Sequence, residues 1–220
     1  MSAVTAPHPG VSIRPLFRGW LHATGLIVLL AATPLLYHRA HSGAKAAWVT
    51  CFVVGVAAML ATSATLHLGR WSLPAKRRMQ MADRAAIFLA IAGSYFAIAG
   101  LTMHGNVRWA LLSFVGAFAL IAIGLQRIPF RFPPWAVVIP YLVIGWAAVA
   151  VLPQIYRGGG LACLLLIGAG GLAYTVGAIC FGLRKPSLAP RVFGYHELFH
   201  ACTLVGAGCH FAAIALALQH

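Results

Sequence analysis

Long apolar runs alternate along this chain with short clusters of basic residues. A helix that crosses a bilayer core of about 30 Å needs roughly 20 apolar residues. Seven runs meet that length, at about 20–37, 46–68, 80–103, 108–125, 134–152, 161–183 and 194–218. The connections between them are short, so successive helices are expected to be antiparallel. The pattern therefore predicts an all-α membrane protein, a seven-transmembrane helix bundle. Residues 1–18 form a tail and 19–220 a single domain. Pro34 and Pro140 fall inside spans and mark places for kinks. Gly168, Gly170, Gly171 and Gly177 in the sixth span would let a neighbouring helix approach closely.

Composition rules out a water-soluble surface. Hydrophobic residues make up 61% of the chain and charged residues 8%, against about 25% charged in a soluble domain. Mean hydropathy is +0.89. The acids number two, Asp83 and Glu197, and the net charge is +14. Such a charge invites a nucleic-acid reading. The basic residues, however, sit in clusters that flank apolar runs, where they act as topology signals and contacts for anionic headgroups. No nucleic-acid partner is expected; the expected partners are membrane lipids, with the oligomeric state left open.

Orientation follows from counting Lys and Arg in the connections. One side carries Arg14, Arg18, Arg70, Lys76, Arg77, Arg78, Arg127, Arg131, Arg184, Lys185 and Arg191, eleven in all; the other carries Arg39, Lys45, Arg108 and Arg157. Eleven against four places the N-terminus in the cytoplasm and the C-terminus outside. The first twenty residues lack the shape of a signal peptide, so the first run reads as a retained span. The five cysteines lie in apolar runs without a CxxC spacing, and read as small buried hydrophobes rather than as disulfides or metal ligands.

A charge at the bilayer centre costs about 2.5–3.5 kcal/mol on insertion scales, so ionisable groups inside spans are functional candidates. Both acids fall inside spans. The up-and-down topology brings His67 (end of span two), Asp83 (start of span three) and His196 and His200 (start of span seven) to one level near the cytoplasmic face. His196 and His200 are four residues apart, on one helical face at about 6 Å. That spacing lets two imidazoles share an ion, and a third from another helix would leave a fourth position open. Ser63 lies one turn before His67, on the same side. His22, His104 and His210 read as helix-packing hydrogen-bonders. His196-Glu197-Leu198-Phe199-His200 also matches H-E-x-x-H, in which Glu197 would be a general base. Glu197 could equally face the headgroups or pair with Arg191 or Arg84, and Asp83 is the better general-base candidate.

The stretches S-A-T-L-H (63–67), M-A-D-R-A-A-I-F-L-A-I-A-G-S-Y (81–95) and H-E-L-F-H (196–200) resemble the hemolysin III proteins, within the progestin and adipoQ receptor family. W-L-H-A-T-G (20–25), G-G-L-A-Y-T-V-G-A-I-C-F (170–181) and F-G-Y-H-E-L-F-H (193–200) extend the similarity to about residues 17–216. The ordered set S-x₃-H, D, H-x₃-H also marks a wider superfamily that includes alkaline ceramidases. The resemblance implies that His67, His196 and His200 ligate zinc, that Asp83 holds the water of the centre, and that Ser63 sits beside it. It also implies seven helices with the N-terminus inside. Leu66 stands where bacterial members carry Tyr, and Arg84-Ala85 where they carry His-Ser.

Three activities follow as expectations. The first is zinc-dependent hydrolysis of a lipid amide, with Asp83 and Ser63 as catalytic residues. The second is a non-enzymatic sensor or regulator of membrane state, with zinc (Zn2+) tying helices together. The third, suggested by the family name alone, is a cytolytic pore, and it suits a chain this apolar least. The expected location is the bacterial plasma (inner) membrane.

Overall fold

The structure is a computed structural model that describes residues 17–126, 133–186, 189 and 192–219. Most of the tail, and with it Arg14, lies outside the described residues, as do Arg127, Arg131 and Arg191. The described chain is helical: α1 (Trp20–Arg39), α2 (Gly43–Leu68), α3 (Leu73–Thr102), α4 (Gly105–Leu125), α5 (Pro134–Gly145), a 3-10 segment (Trp146–Val151), α6 (Leu152–Leu183) and α7 (Tyr195–Ala217). Among the described residues, six helical segments are long and apolar enough to cross a membrane. The expected spans at 134–152 and 161–183 are not two separate helices of that length. They belong to one helical run of 49 residues, Trp135–Leu183, which takes in all of the 12-residue α5 but its first residue, Pro134.

The run is nevertheless bent back on itself. Gly182 lies against Trp135 and Val138, and Trp146 Nε1 donates to Thr175 Oγ1 at 3.0 Å. These pairs advance in opposite senses along the chain, as in an antiparallel hairpin. Midway between them the backbone leaves helical geometry at Gly160 (φ 75, ψ 177). A side chain there would be strained, which accounts for the glycine. The neighbouring Gly158 packs directly onto the Thr102 backbone at the end of α3.

α2 and α3 make the tightest pair. Each presents a glycine to the other's backbone: Gly55 faces Leu89 and Ala90, and Gly93 faces Cys51 and Phe52. Without a Cβ at the crossing, the axes draw close enough for backbone-to-backbone van der Waals contact, which substitutes for hydrophobic driving force in lipid. α6 meets α7 the same way, with Gly170 under His210 and Gly177 under Cys202 and Phe199. Gly168 and Gly171 face open space and take no part. Pro34 lies within α1 and Pro140 within α5, and the 3-10 segment follows α5. All five cysteines are free; Cys163 is buried and the other four are half-buried.

Contacts fix which ends lie together. Arg18, just before α1, pairs with Glu197 in the first turn of α7. At the opposite end, Arg39 donates to the Ala215 carbonyl and Lys45 to that of Leu218. These cations satisfy carbonyls left over where α7 stops. α1 therefore begins at the end of the bundle where α7 begins, and α7 finishes at the turn between α1 and α2.

Candidate metal centre

α2 ends and α7 begins at the same end of the bundle. His67 is in the last turn of α2, and His196 and His200 occupy the first two turns of α7. One ring nitrogen from each lies within 4.8 Å of the others. His67 Nε2 and His196 Nε2 face one another at 3.2 Å. The ring centroids of His196 and His200 are 4.6 Å apart, and those of His67 and His200 5.2 Å. Two nitrogens bound to one tetrahedral zinc at about 2.05 Å sit roughly 3.3 Å apart. The His67–His196 separation already meets that requirement, and a His200 ring nitrogen lies within 4.8 Å of both. His200 is 2% exposed, and its buried Nδ1 has no hydrogen-bond partner. The donor set fits a divalent ion that prefers imidazole, which includes zinc.

Ser63 and Asp83 are not among these three groups. Ser63 is buried one turn before His67, and its hydroxyl lies beside the Asp83 carboxyl on α3. Both residues line a cavity of about 600 Å³ whose wall also includes His67, His196 and His200. Away from this end the wall is mainly apolar, with Met59, Ile98, Leu152 and Ile155 deep in the bundle.

Glu197 does something other than what its position in the H-E-x-x-H match suggests. It is fully buried; Oε1 accepts from Arg18 Nε at 2.8 Å and Oε2 from the Gly194 backbone N–H at 2.9 Å. The second bond satisfies a donor at the start of α7. With both oxygens engaged, and with no share in the cavity wall, Glu197 is not placed as a general base. It faces neither headgroups nor Arg84, whose Nε donates to Gln126 instead; Arg191 lies outside the described residues. Gly19, between Arg18 and α1, has φ 91 and packs against His67 Cβ and Leu68, so the start of α1 closes over the centre.

His22 is the residue that the helix-packing reading undervalued. It is 2% exposed, and its ring stacks on His200 with centroids 3.8 Å apart and planes 11° off parallel. Among the described residues, neither ring nitrogen has a hydrogen-bond partner. It lies in the first turn of α1, the depth at which the other imidazoles gather, and that depth was the available signal. His104 is no packing residue; it is exposed at the N-cap of α4. His210 does pack between α6 and α7, against Gly170 and edge-on to Tyr174, without a hydrogen bond.

A sequence model described as haemolysin-III related matches residues 12–211. Hemolysin-3 of Bacillus cereus is 28% identical over 198 residues, which cover 88% of this chain and 86% of that protein. The heptahelical transmembrane protein ADIPOR2 of Oryza sativa subsp. japonica is 31% identical over 187 residues, covering 76% and 80%. The Hemolysin-3 homolog of Bacillus subtilis (strain 168) is 27% identical over 200 residues, covering 88% and 89%.

Proposed function

The chain belongs to the haemolysin-III-related family, and from that membership together with the imidazole cluster we propose that this multi-pass membrane protein is a zinc-dependent hydrolase of a lipid amide. One observation carries the reading: three imidazoles, a carboxyl and a hydroxyl share the wall of a cavity that is mainly apolar. Such a cavity suits an acyl chain, with the scissile carbonyl held at its polar end.

The chemistry a bound zinc ion supplies is Lewis acidity, which polarises a carbonyl and acidifies water. His67, His196 and His200 would hold it. Asp83 takes the proton of the attacking water and returns it to the leaving amine. Ser63 donates a hydrogen bond to the oxyanion as charge develops there. The apolar wall excludes bulk water and aligns the chain.

Seven crossings, with the N-terminus in the cytoplasm, form part of this reading. Three observations support it: the antiparallel bend within Trp135–Leu183, the opposite-end placement of α1's start and α7's finish, and the eleven-to-four excess of basic residues. Membership of a family with relatives in Bacillus supports the bacterial plasma membrane as its location.

The test is release of fatty acid from an N-acyl sphingoid amide by the purified protein. The wild type should hydrolyse it, and Asp83→Asn should retain the metal but lose turnover. Full activity of Asp83→Asn would refute the assignment of that residue. A second reading is favoured by the way the cluster links α2 to α7: a non-enzymatic, zinc-stabilised regulator of membrane state. It gains if no lipid amide or ester is turned over by a metal-loaded protein.

A further inference from the structure

The polar end of the cavity holds more cationic charge than the chain can neutralise. Arg84 and Arg184 both line it, along with Gln80 and Tyr195. Gln80 and Arg184 are exposed, while Arg84 is half-buried, next to Asp83 on α3. Arg84 is held from two sides: its Nε donates to Gln126 Oε1 at 2.9 Å, and its carbonyl accepts from the Tyr141 hydroxyl at 3.3 Å. Arg184 terminates α6 in the left-handed region (φ 55), a backbone that non-glycine residues seldom adopt.

Neither guanidinium has a carboxylate within 4.0 Å among the described residues, where the one ion pair joins Arg18 to Glu197. The chain has two acids. One is taken by Arg18, and the other, Asp83, lies beside Ser63 and within the electrostatic reach of Arg84, so Arg84 and Arg184 have at most one carboxyl between them. A guanidinium at membrane depth is costly without a counter-charge. The donors of the Arg84 fork beyond Nε match the oxygens of a phosphate. Two cations suit a phosphate monoester, which carries about −1.5 to −2 near neutrality, better than a singly charged carboxylate.

We propose that Arg84 and Arg184 form an anion subsite in the cavity wall that takes the phosphate headgroup of a lipid whose acyl chain enters the cavity. As a statement about substrate this rests on the hydrolase reading, narrowing it to phosphate-bearing lipids; as a binding site it does not require turnover.

Native mass spectrometry of the full-length protein in maltoside micelles tests it, with dioleoyl phosphatidic acid, dioleoylglycerol and inorganic phosphate as separate probes. Phosphatidic acid should be retained and dioleoylglycerol should not. Arg84→Gln and Arg184→Gln should each weaken retention about tenfold, the scale of one lost charge-assisted contact. Arg84→Lys should keep part of it, which separates lost charge from a misfolded variant, and Arg77→Gln, at an exposed arginine outside the cavity, should change nothing. Equal retention by wild type and both Gln variants, or an equal loss in Arg77→Gln, would overturn the subsite. Binding of inorganic phosphate as tight as that of phosphatidic acid would overturn the lipid as its source. Binding as expected in a protein that hydrolyses nothing would sink the hydrolase reading and leave the subsite standing.

Discussion

Glu197 shows how a motif and its environment can disagree at the residue scale. Sequence spacing offers it as a general base, whereas the fold spends both carboxylate oxygens on Arg18 and on the Gly194 amide. Removing one partner of a buried pair strands the other, at up to 3–5 kcal/mol when both are buried. Arg18 is partly exposed, so Glu197→Gln should cost roughly 2 kcal/mol. A lower thermal midpoint with zinc content and turnover per folded protein preserved is the expected result; selective loss of turnover at unchanged stability would restore the general-base role. His22 makes the complementary case. Its stacked ring limits how His200 can turn, so His22→Ala should weaken zinc binding by about tenfold, the low end for residues that orient ligands. Chelator competition measures this, and an unchanged affinity would show that the stack is only packing. The three-histidine cluster was legible because a four-residue spacing and a shared depth point to the same helix ends. The Arg18–Glu197 pair was not, because its partners are separated by 179 positions and Arg18 precedes the first helix.

At the scale of elements, apolar runs revealed which segments are helical but not where each begins. α3 starts at Leu73, about two turns before the apolar run at 80, and its first turns carry Lys76, Arg77 and Arg78. Hydropathy reads those residues as connection, whereas Ala, Lys, Arg, Met and Gln are good helix formers. The bend in Trp135–Leu183 was legible, because the apolar runs break at 153–160, where Pro153, Gln154, Arg157 and three glycines stand and where the backbone leaves helical geometry at Gly160; the 3-10 segment before it has no hydropathy signature. The glycines in the sixth span announced a close approach, but only Gly170 and Gly177 lie on the face that meets α7. The α2–α3 crossing depends on Gly55 and Gly93 in the same manner. Gly93→Leu would drive a side chain into the Cys51 carbonyl, and overpacking of this kind costs about 1–3 kcal/mol or more. Loss of monodisperse protein on size exclusion, or a clearly lowered thermal midpoint, should follow. A fully stable Gly93→Leu variant would mean that the helices are further apart than described.

For the whole molecule, the arrangement turns on which helix ends share a membrane level. The contacts at the two ends of the bundle fix which helix ends lie together, and the charge count along the sequence gives the expected side of each. In a background with the five native cysteines replaced, a cysteine at Arg70 should react with an impermeant reagent only from the cytoplasmic side. One at Gly43 should react only from outside. Reaction of both from one side would contradict an antiparallel α2 and the orientation that follows from it. The central claim, that three imidazoles from α2 and α7 make one metal centre, is tested most directly by metal analysis of purified protein. The wild type should carry about one zinc ion per chain, and His67→Ala, His196→Ala and His200→Ala should each lose it while His210→Ala keeps it. Wild-type protein free of divalent metal after purification without chelators, or variants that retain a full complement, would contradict the account.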